Sequence, residues 1–193
     1  VLPGVAELAQ GKVSVSELKE IEVEDLLGRE KVYPNRKLLE KNIKGRVVLI
    51  TGAGGSIGSE ISRQVSLIAP LSLVLLDANE FALYSIEEEL KARFPDLDIK
   101  AVLGNITNKQ RIKSICTTFQ VNTIYHTAAY KHVPLVEKSP FEGVLNNIFG
   151  TLNTILAATE ANVDTFTLIS TDKAVRPTNI MGATKRFSEL VIQ

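Results

Sequence analysis

From residue 46 onward, short apolar runs alternate with longer segments whose apolar positions recur at helical spacing. The apolar runs predict strands at 46–51, 72–77, 98–103, 122–127 and 165–170. The periodic segments predict helices near 56–68, 79–93, 107–118 and 139–161, and a further helix that begins near 178. This alternation is typical of an α/β fold with a doubly wound parallel sheet and right-handed crossovers. Ligands of such sheets bind at the carboxyl ends of the strands.

The first 45 residues contain only short elements and differ in this from the rest of the chain. Residues 16–19 are typical of a capped turn, 24–28 of a brief helix with a glycine stop, and 36–41 of a charged helix. We interpret residues 1–45 as an arm that packs on the main domain or on a neighbouring subunit. The main domain is then residues 46–193.

The first predicted strand, VVLIT at 47–51, is followed at once by the turn GAGGSIG at 52–58. A helix that starts after such a turn exposes free backbone N–H groups, which bind phosphate together with the helix dipole. Gly52 permits the tight turn, Gly55 lets a pyrophosphate approach the backbone, and Gly58 lets the helix pack on the strand. This context favours dinucleotide binding over a structural glycine loop. The residues assigned to the dinucleotide here are Gly52, Gly55, Ser56, Ile57 and Gly58.

The next two predicted strands end in polar residues. Asp77 closes the second strand 19 positions after Gly58, where a carboxylate accepts both ribose hydroxyls and repels a 2′-phosphate, so NAD is favoured over NADP. The alternative is that Asp77 caps the following helix. Asn105 and Ile106 follow the third strand, and the Asn105 amide either meets the adenine edge or forms a turn.

The fourth predicted strand runs into small residues and a lysine. Ala128 and Ala129 let a flat cofactor lie against the backbone, so we expect them to flank the dinucleotide. Lys131 is either a residue of the same site or a solvated loop lysine. The two histidines, His126 and His132, lack the additional ligands that a metal site needs, so no metal is expected.

Composition narrows the function classes. The chain has 22 basic and 22 acidic residues and a formal net charge of +0, so we expect no nucleic-acid partner and no electrostatic membrane anchor. We find no signal peptide and no apolar run near 18 residues, and expect no membrane span in this chain. The single cysteine, Cys116, fits a reducing compartment and a place in the core.

Three segments together carry a family resemblance: TGAGGSIG at 51–58, AYKHVPLVE at 129–137, and ISTDKAV at 169–175 with NIMGATKR at 179–186. They resemble the extended short-chain dehydrogenase/reductases, and more narrowly the nucleotide-sugar 4,6-dehydratases of bacterial capsule and O-antigen synthesis. Residues 21–29 resemble the segment before the catalytic domain in the long, membrane-anchored members. The resemblance implies a Rossmann fold and a cytoplasmic location, at the inner membrane if the complete protein is anchored.

The resemblance also implies roles for several side chains. Thr171 matches the hydroxyl position of the family's Ser/Thr-Tyr-Lys arrangement and Lys185 matches the lysine, which binds the nicotinamide ribose. Met181 stands in place of the tyrosine, and a thioether cannot exchange a proton. We interpret Met181 as a variant found in the large capsule-type subgroup. Asn147 matches a family asparagine near cofactor and substrate, or is a neutral helix residue.

Asp172 and Lys173 match an acid–base pair. In the implied cycle, a hydride leaves carbon 4 of the sugar for NAD⁺, Asp172 and Lys173 eliminate water across carbons 5 and 6, and the hydride returns to carbon 6. Lys173 acts as the base in its neutral form and Asp172 as the acid. The alternative is a helix-capping aspartate beside a surface lysine.

The chain stops at Gln193, so we expect it to lack the region that grips the nucleotide of the substrate. The sequence therefore predicts the cofactor-binding portion of a UDP-N-acetylglucosamine 4,6-dehydratase, which uses NAD and a UDP-sugar and forms a homo-oligomer. One alternative is a UDP-sugar 4-epimerase or 4-ketoreductase. Another is a non-catalytic NAD-binding module, which Met181 would suit.

Overall fold

The computed structural model describes residues 35–193. Five parallel strands form one sheet in the order β3-β2-β1-β4-β5. The strands are β1 (Val47–Thr51), β2 (Ser72–Asp77), β3 (Asp98–Leu103), β4 (Thr123–His126) and β5 (Thr165–Leu168). Because β1 lies between β2 and β4, the chain crosses over in opposite directions on its two sides. The carboxyl ends of β1 and β4 therefore border the crevice where such folds bind ligands.

Helices cover both faces of the sheet. They are α1 (Arg36–Ile43), α2 (Ser56–Ser66), α3 (Glu80–Arg93), α4 (Lys109–Phe119), α5 (Val133–Lys138), α6 (Pro140–Gly143), α7 (Gly150–Glu160) and α8 (Ile180–Val191). A π-helical segment, Val144–Phe149, joins α6 to α7, and a 3-10 turn, Asp172–Ala174, follows β5. Within residues 35–193, no helix combines the length and the apolar character needed to cross a membrane.

The predicted strands and helices are confirmed, with one correction. The segment 139–161 is not one helix, because α6, the π-helical segment and α7 follow one another there. Helix α5 was not predicted. The short elements expected at 16–19 and 24–28 lie outside the described residues, and the arm boundary near residue 45 stays a prediction.

Two apolar clusters lie on opposite faces of the sheet. Successive side chains of a strand alternate between faces, so Val47 and Leu49 pack with α4 and α7, while Val48 and Ile50 pack with α1, α2 and α3. Every residue of β1 is buried. Coverage on both faces explains why the central strands read as continuous apolar runs.

Candidate active site

The glycine turn after β1 brings three backbone segments into contact. Gly52 has φ +68°, and a Cβ there would lie 2.7 Å from the Cα of Ala128, just after β4. A Cβ on Gly58 would overlap the carbonyl oxygen of Gly52. Gly54, which the sequence analysis did not single out, lies so close to Ala82 of α3 that a Cβ would be 2.6 Å from its Cβ. Side chains are excluded at each of these positions, so the turn packs closely against its neighbours.

Asp77, at the end of β2, hydrogen-bonds to the glycine turn. Its Oδ2 accepts a hydrogen bond from the N–H of Gly54 at 2.8 Å, and its Oδ1 accepts one from the N–H of Asn79 at 2.9 Å. The N-cap of α3 is Asn79, whose side chain accepts from the N–H of Ala82. Asp77 is therefore not the cap of that helix, and its carboxylate faces the glycine turn instead.

A cavity of about 340 Å³ lies over the glycine turn. Its walls bring together most of the residues that the sequence assigned to a cofactor: Gly52, Gly55, Ser56, Ile57, Gly58, Asp77, Asn105, Ile106, Ala128, Ala129 and Lys131. Two other assigned residues, Asn147 and Lys185, are outside the set of described residues that line it, whereas Asn146 is within it. The residues predicted to bind the phosphates and the residue predicted to bind the ribose thus line the same cavity.

Asn105 forms a turn and lines the cavity as well. Its Oδ1 accepts hydrogen bonds from the N–H and the hydroxyl of Thr107, both at 2.9 Å, which makes an Asx turn at the start of α4. The side-chain oxygen is occupied by this turn, so the amide nitrogen is the group that remains to meet a base.

Asn147 lies one layer behind the cavity and is almost fully buried. Its Oδ1 accepts from the N–H of Tyr130 at 2.8 Å, while its Nδ2 donates to the carbonyl of Tyr130 at 3.0 Å and to the Thr184 hydroxyl at 2.9 Å. These bonds tie the loop after β4 to α8. Asn147 therefore fixes the position of the cavity wall and of the helix that carries Met181 and Lys185.

His126, at the end of β4, is completely buried next to this asparagine. Thr151 donates its hydroxyl proton to the carbonyl of Asn147 at 2.6 Å, so it accepts from Nε2–H of His126 at 3.1 Å. Nδ1 then accepts from the hydroxyl of Thr51 at 2.7 Å. Burial, assisted by the charge of Lys185, lowers the pKa of His126 to about 3, so the imidazole is neutral.

The residues matched to an acid–base pair lie at the carboxyl end of β5. The hydroxyl of Thr171 donates to Oδ1 of Asp172 at 2.9 Å, and Nζ of Lys173 lies 3.4 Å from the same oxygen. The hydrogen bond from Thr171, and next the one from Lys173, hold the pKa of Asp172 below its usual range. The side chains of Asp172 and Lys173 are 86% and 50% exposed. Thr171, rather than Asp172, caps the 3-10 turn.

Met181 and Lys185 occupy one buried face of α8, one turn apart. Nζ of Lys185 donates to the carbonyl of Ile169, just after β5, at 2.8 Å, although the residue is only 5% exposed. Burial lowers the pKa of Lys185 to about 8, and the charge of Glu189 opposes this shift in part. An amine that titrates near neutral pH beside a strand end is a typical component of an active site.

A second cavity, of about 610 Å³, adjoins the first along the loop after β4. Ala129, Tyr130 and Lys131 line both cavities, and the second continues over α5 and α6. His132, Lys138 and Glu142 contribute polar groups to a wall that is otherwise largely apolar. A ligand bound to the first cavity thus has room to extend, or to meet a second molecule, beyond Lys131.

Residues 48–193 match the family described as polysaccharide biosynthesis protein. The chain belongs to this family. The capsular polysaccharide biosynthesis protein CapD of Staphylococcus aureus is 45% identical over 193 residues, which is 100% of this chain and 32% of CapD. The chain thus spans about a third of the length of that relative.

The UDP-N-acetylglucosamine 4,6-dehydratase (inverting) of Campylobacter jejuni is 34% identical over 152 residues, which cover 75% of this chain and 42% of that enzyme. UDP-glucose 4-epimerases are relatives as well. The structure of DesIV, a dTDP-glucose 4,6-dehydratase of Streptomyces venezuelae with NAD and TYD bound, gives a TM-score of 0.68 at 24% identity and covers 75% of this chain and 50% of DesIV. That likeness shows the fold.

These matches confirm the family resemblance and the Rossmann fold that the sequence predicts. Nucleotide-sugar dehydratases and epimerases are thus among the relatives. The individual site residues stay predictions.

Proposed function

We propose that this chain is the NAD-binding portion of a UDP-N-acetylglucosamine 4,6-dehydratase for bacterial surface polysaccharide synthesis. The observation that carries the proposal is the ion pair of Asp172 and Lys173, which follows Thr171 directly at the end of β5. A dehydratase needs an acid and a base at adjacent carbons, whereas an epimerase or a ketoreductase does not.

The cavity over the glycine turn fits a dinucleotide. At Gly52, Gly54 and Gly58 a Cβ would meet other protein atoms, so glycine permits the close packing that shapes the turn. The turn leads into α2, whose free N–H groups can bind phosphate. Asp77 presents a carboxylate to the ribose and disfavours a 2′-phosphate, so NAD is the expected cofactor. When bound, NAD supplies a reversible hydride acceptor for carbon 4 and a donor for carbon 6.

Lys185 and Thr171 serve the carbon 4 end of the sugar. The Thr171 hydroxyl hydrogen-bonds the carbon 4 oxygen, and the ammonium of Lys185 stabilises the negative charge that develops there. Met181 leaves the tyrosine position without an exchangeable proton. Because the pKa of Lys185 is about 8, a substantial neutral fraction exists near pH 7 to 8, so the amine can also take up a proton.

Asp172 and Lys173 carry out the elimination. Lys173 accepts the carbon 5 proton, the electrons of that C–H bond form the C5=C6 double bond, and the carbon 6 hydroxyl leaves as water with the proton of Asp172. The products of this step are a carboxylate and an ammonium, the same ion pair that lies at 3.4 Å here. Lys173 then returns the proton to carbon 5 when carbon 6 is reduced, and the proton released from the carbon 4 hydroxyl restores the acid form of Asp172, so the net charge is unchanged.

The test is incubation of the complete polypeptide with UDP-N-acetylglucosamine and NMR analysis of the sugar. A 4-keto-6-deoxy product supports the proposal, unchanged sugar rejects it, and a galacto-configured product establishes the epimerase reading instead. Lys173→Ala should abolish elimination, and full turnover by that variant would remove the role of Lys173. Mass spectrometry of nucleotide released from the purified protein distinguishes NAD from NADP.

We also propose that the protein forms a homo-oligomer. Large apolar side chains are exposed along α7, α8 and the segment before them, at Phe149, Leu156, Phe187 and Leu190. Exposed apolar side chains of this size favour association. Sedimentation of the complete polypeptide should give a species larger than a monomer, and Phe187→Glu should shift it toward monomer.

A further inference from the structure

The turn that carries Asp172 and Lys173 rests directly on the first turn of α8. At Gly182 a Cβ would lie 2.5 Å from the carbonyl oxygen of Lys173 and 3.3 Å from its carbonyl carbon. Real Cβ atoms essentially never approach another heavy atom within 3.0 Å. The neighbouring atoms are backbone and cannot rotate away, so only a hydrogen fits between helix and turn.

The conformation of Gly182 does not itself require glycine. The residue lies in helix α8, and its φ is not in the left-handed region. Alanine is the better helix former at such a position, so glycine weakens the helix here. The N-cap adds a second constraint, because the N–H of Gly182 donates to Oδ1 of Asn179 and a Cβ would lie 3.3 Å from that oxygen. Close approach is the physical reason that remains.

Few other contacts locate the turn. Ala174, at the other end of the turn, is fully buried, and its N–H donates to the carbonyl of Thr171 within the turn at 3.1 Å. The side chains of Asp172 and Lys173 extend into solvent and bond mainly to each other and to Thr171. The placement of this pair is therefore set through the backbone.

We infer that Gly182 is a positioning residue whose bare Cα sets the distance between the Asp172–Lys173 pair and the side chains of Met181 and Lys185 on the same helix. The inference rests on the proposed function, since it assigns the pair to carbons 5 and 6 and α8 to carbon 4. An added methyl would push the turn outward and separate the two groups, while it leaves the cavity over the glycine turn intact.

The experiment is Gly182→Ala in the complete polypeptide. We expect NAD affinity by calorimetry and KM for UDP-N-acetylglucosamine to change less than about twofold, and kcat to fall about a hundredfold, which is the scale of a 1 Å misplacement. Exchange of the carbon 5 proton in D₂O should be lost. Without any ligand, amide hydrogen exchange of the peptide spanning 170–178 should become faster, because the turn loses its close contact with α8.

Two further variants separate displacement of the turn from a general perturbation of α8. Ala183→Gly lowers the helix propensity of α8 without adding atoms near Lys173, so kcat and the exchange of 170–178 should stay near wild type. Ala174→Gly loosens the turn from its buried end, and should reproduce the loss of carbon 5 exchange if Gly182→Ala fails to fold.

The outcomes are distinct. Wild-type carbon 5 exchange and wild-type amide exchange in Gly182→Ala would overturn the inference. An inactive wild-type protein would reject the proposed function, whereas faster amide exchange in the turn of Gly182→Ala would still support the positioning contact. Equal losses in Ala183→Gly and Gly182→Ala would overturn positioning in favour of a general effect on α8.

Discussion

Replacement of Lys185 by methionine should stabilise the protein at neutral pH. Lys185 is 5% exposed and its ammonium has the Ile169 carbonyl as its hydrogen-bond acceptor. The fall of its pKa from 10.5 to about 8 corresponds to a cost of about 3 kcal/mol for the charged form in the folded state. Methionine has a similar shape and no charge, but leaves the carbonyl without its donor, which costs about 1 kcal/mol. We therefore expect Lys185→Met to raise the free energy of unfolding by about 2 kcal/mol at pH 7.

The gain in stability from Lys185→Met should decrease as the pH rises. Because the pKa of Lys185 is lower in the folded than in the unfolded state, the unfolded chain binds more protons between about pH 8 and 10.5. The wild type therefore gains about 1.4 kcal/mol per pH unit in that window from this group, and the variant does not. Relative to pH 7, the advantage of Lys185→Met should shrink by about 2 to 3 kcal/mol at pH 10.

Urea unfolding at pH 7, 8, 9 and 10 measures this difference directly. The matched control is Lys44→Met, because Lys44 is exposed and its charge stays in water in both states. Other groups that titrate in this range contribute equally to all three proteins and cancel in the differences. Parallel pH profiles for wild type and Lys185→Met would refute the claim that the buried ammonium destabilises the fold. The variant should nevertheless lose activity, as expected where an active site is maintained at the expense of stability.

Three other predictions follow from the same contacts. Asp77→Ala removes the acceptor of the Gly54 N–H and the ribose partner, so NAD affinity should fall at least about tenfold and the preference over NADP should shrink, measured by calorimetry. The lowered pKa of His126 should make wild type lose about 1.4 kcal/mol per pH unit from pH 6.5 toward 3, a slope that urea unfolding should show reduced in His126→Asn. Burial raises the pKa of the Cys116 thiol to about 11, so a thiol reagent should label it only after unfolding.

The strands were predictable to within two residues because both faces of the sheet are covered. Both faces of β1 and β2 are buried, so these strands are largely apolar, and each ends where a small residue begins the loop. The site residues at strand ends followed from the same rule. Asp77, Ala128 and Thr171 could be placed at one edge of the sheet from the sequence alone.

The break in the helical segment after β4 could not be read from the sequence. Its π-helical part contains Asn147, whose side chain bonds to Tyr130 and Thr184, and both partners are distant in the chain. Helix α5 is only six residues long, which is too short for a helical period of apolar positions to be recognised in the sequence. Tertiary hydrogen bonds therefore accompany the first difference, and short length explains the second.

The roles of two glycines could likewise not be predicted from the sequence. Gly54 and Gly182 sit in a motif and a helix whose local patterns tolerate other residues, and the atoms that exclude a side chain belong to Ala82 and Lys173. A pattern of apolar positions predicts which elements pack. It does not predict how closely two backbones approach.

The protonation state of Lys185 depends on His126 being neutral. The imidazole is fully buried and hydrogen-bonds to the hydroxyls of Thr51 and Thr151, neither of which carries a charge that would stabilise a protonated ring. The two residues also interact electrostatically, since the charge of Lys185 contributes to the low pKa of His126. A second cation there would depress the pKa of Lys185 further and remove the ammonium that the carbon 4 oxygen requires. The hydrogen bonds from Thr51 through His126, Thr151 and Asn147 connect the end of β1 to α8, the helix that carries Lys185.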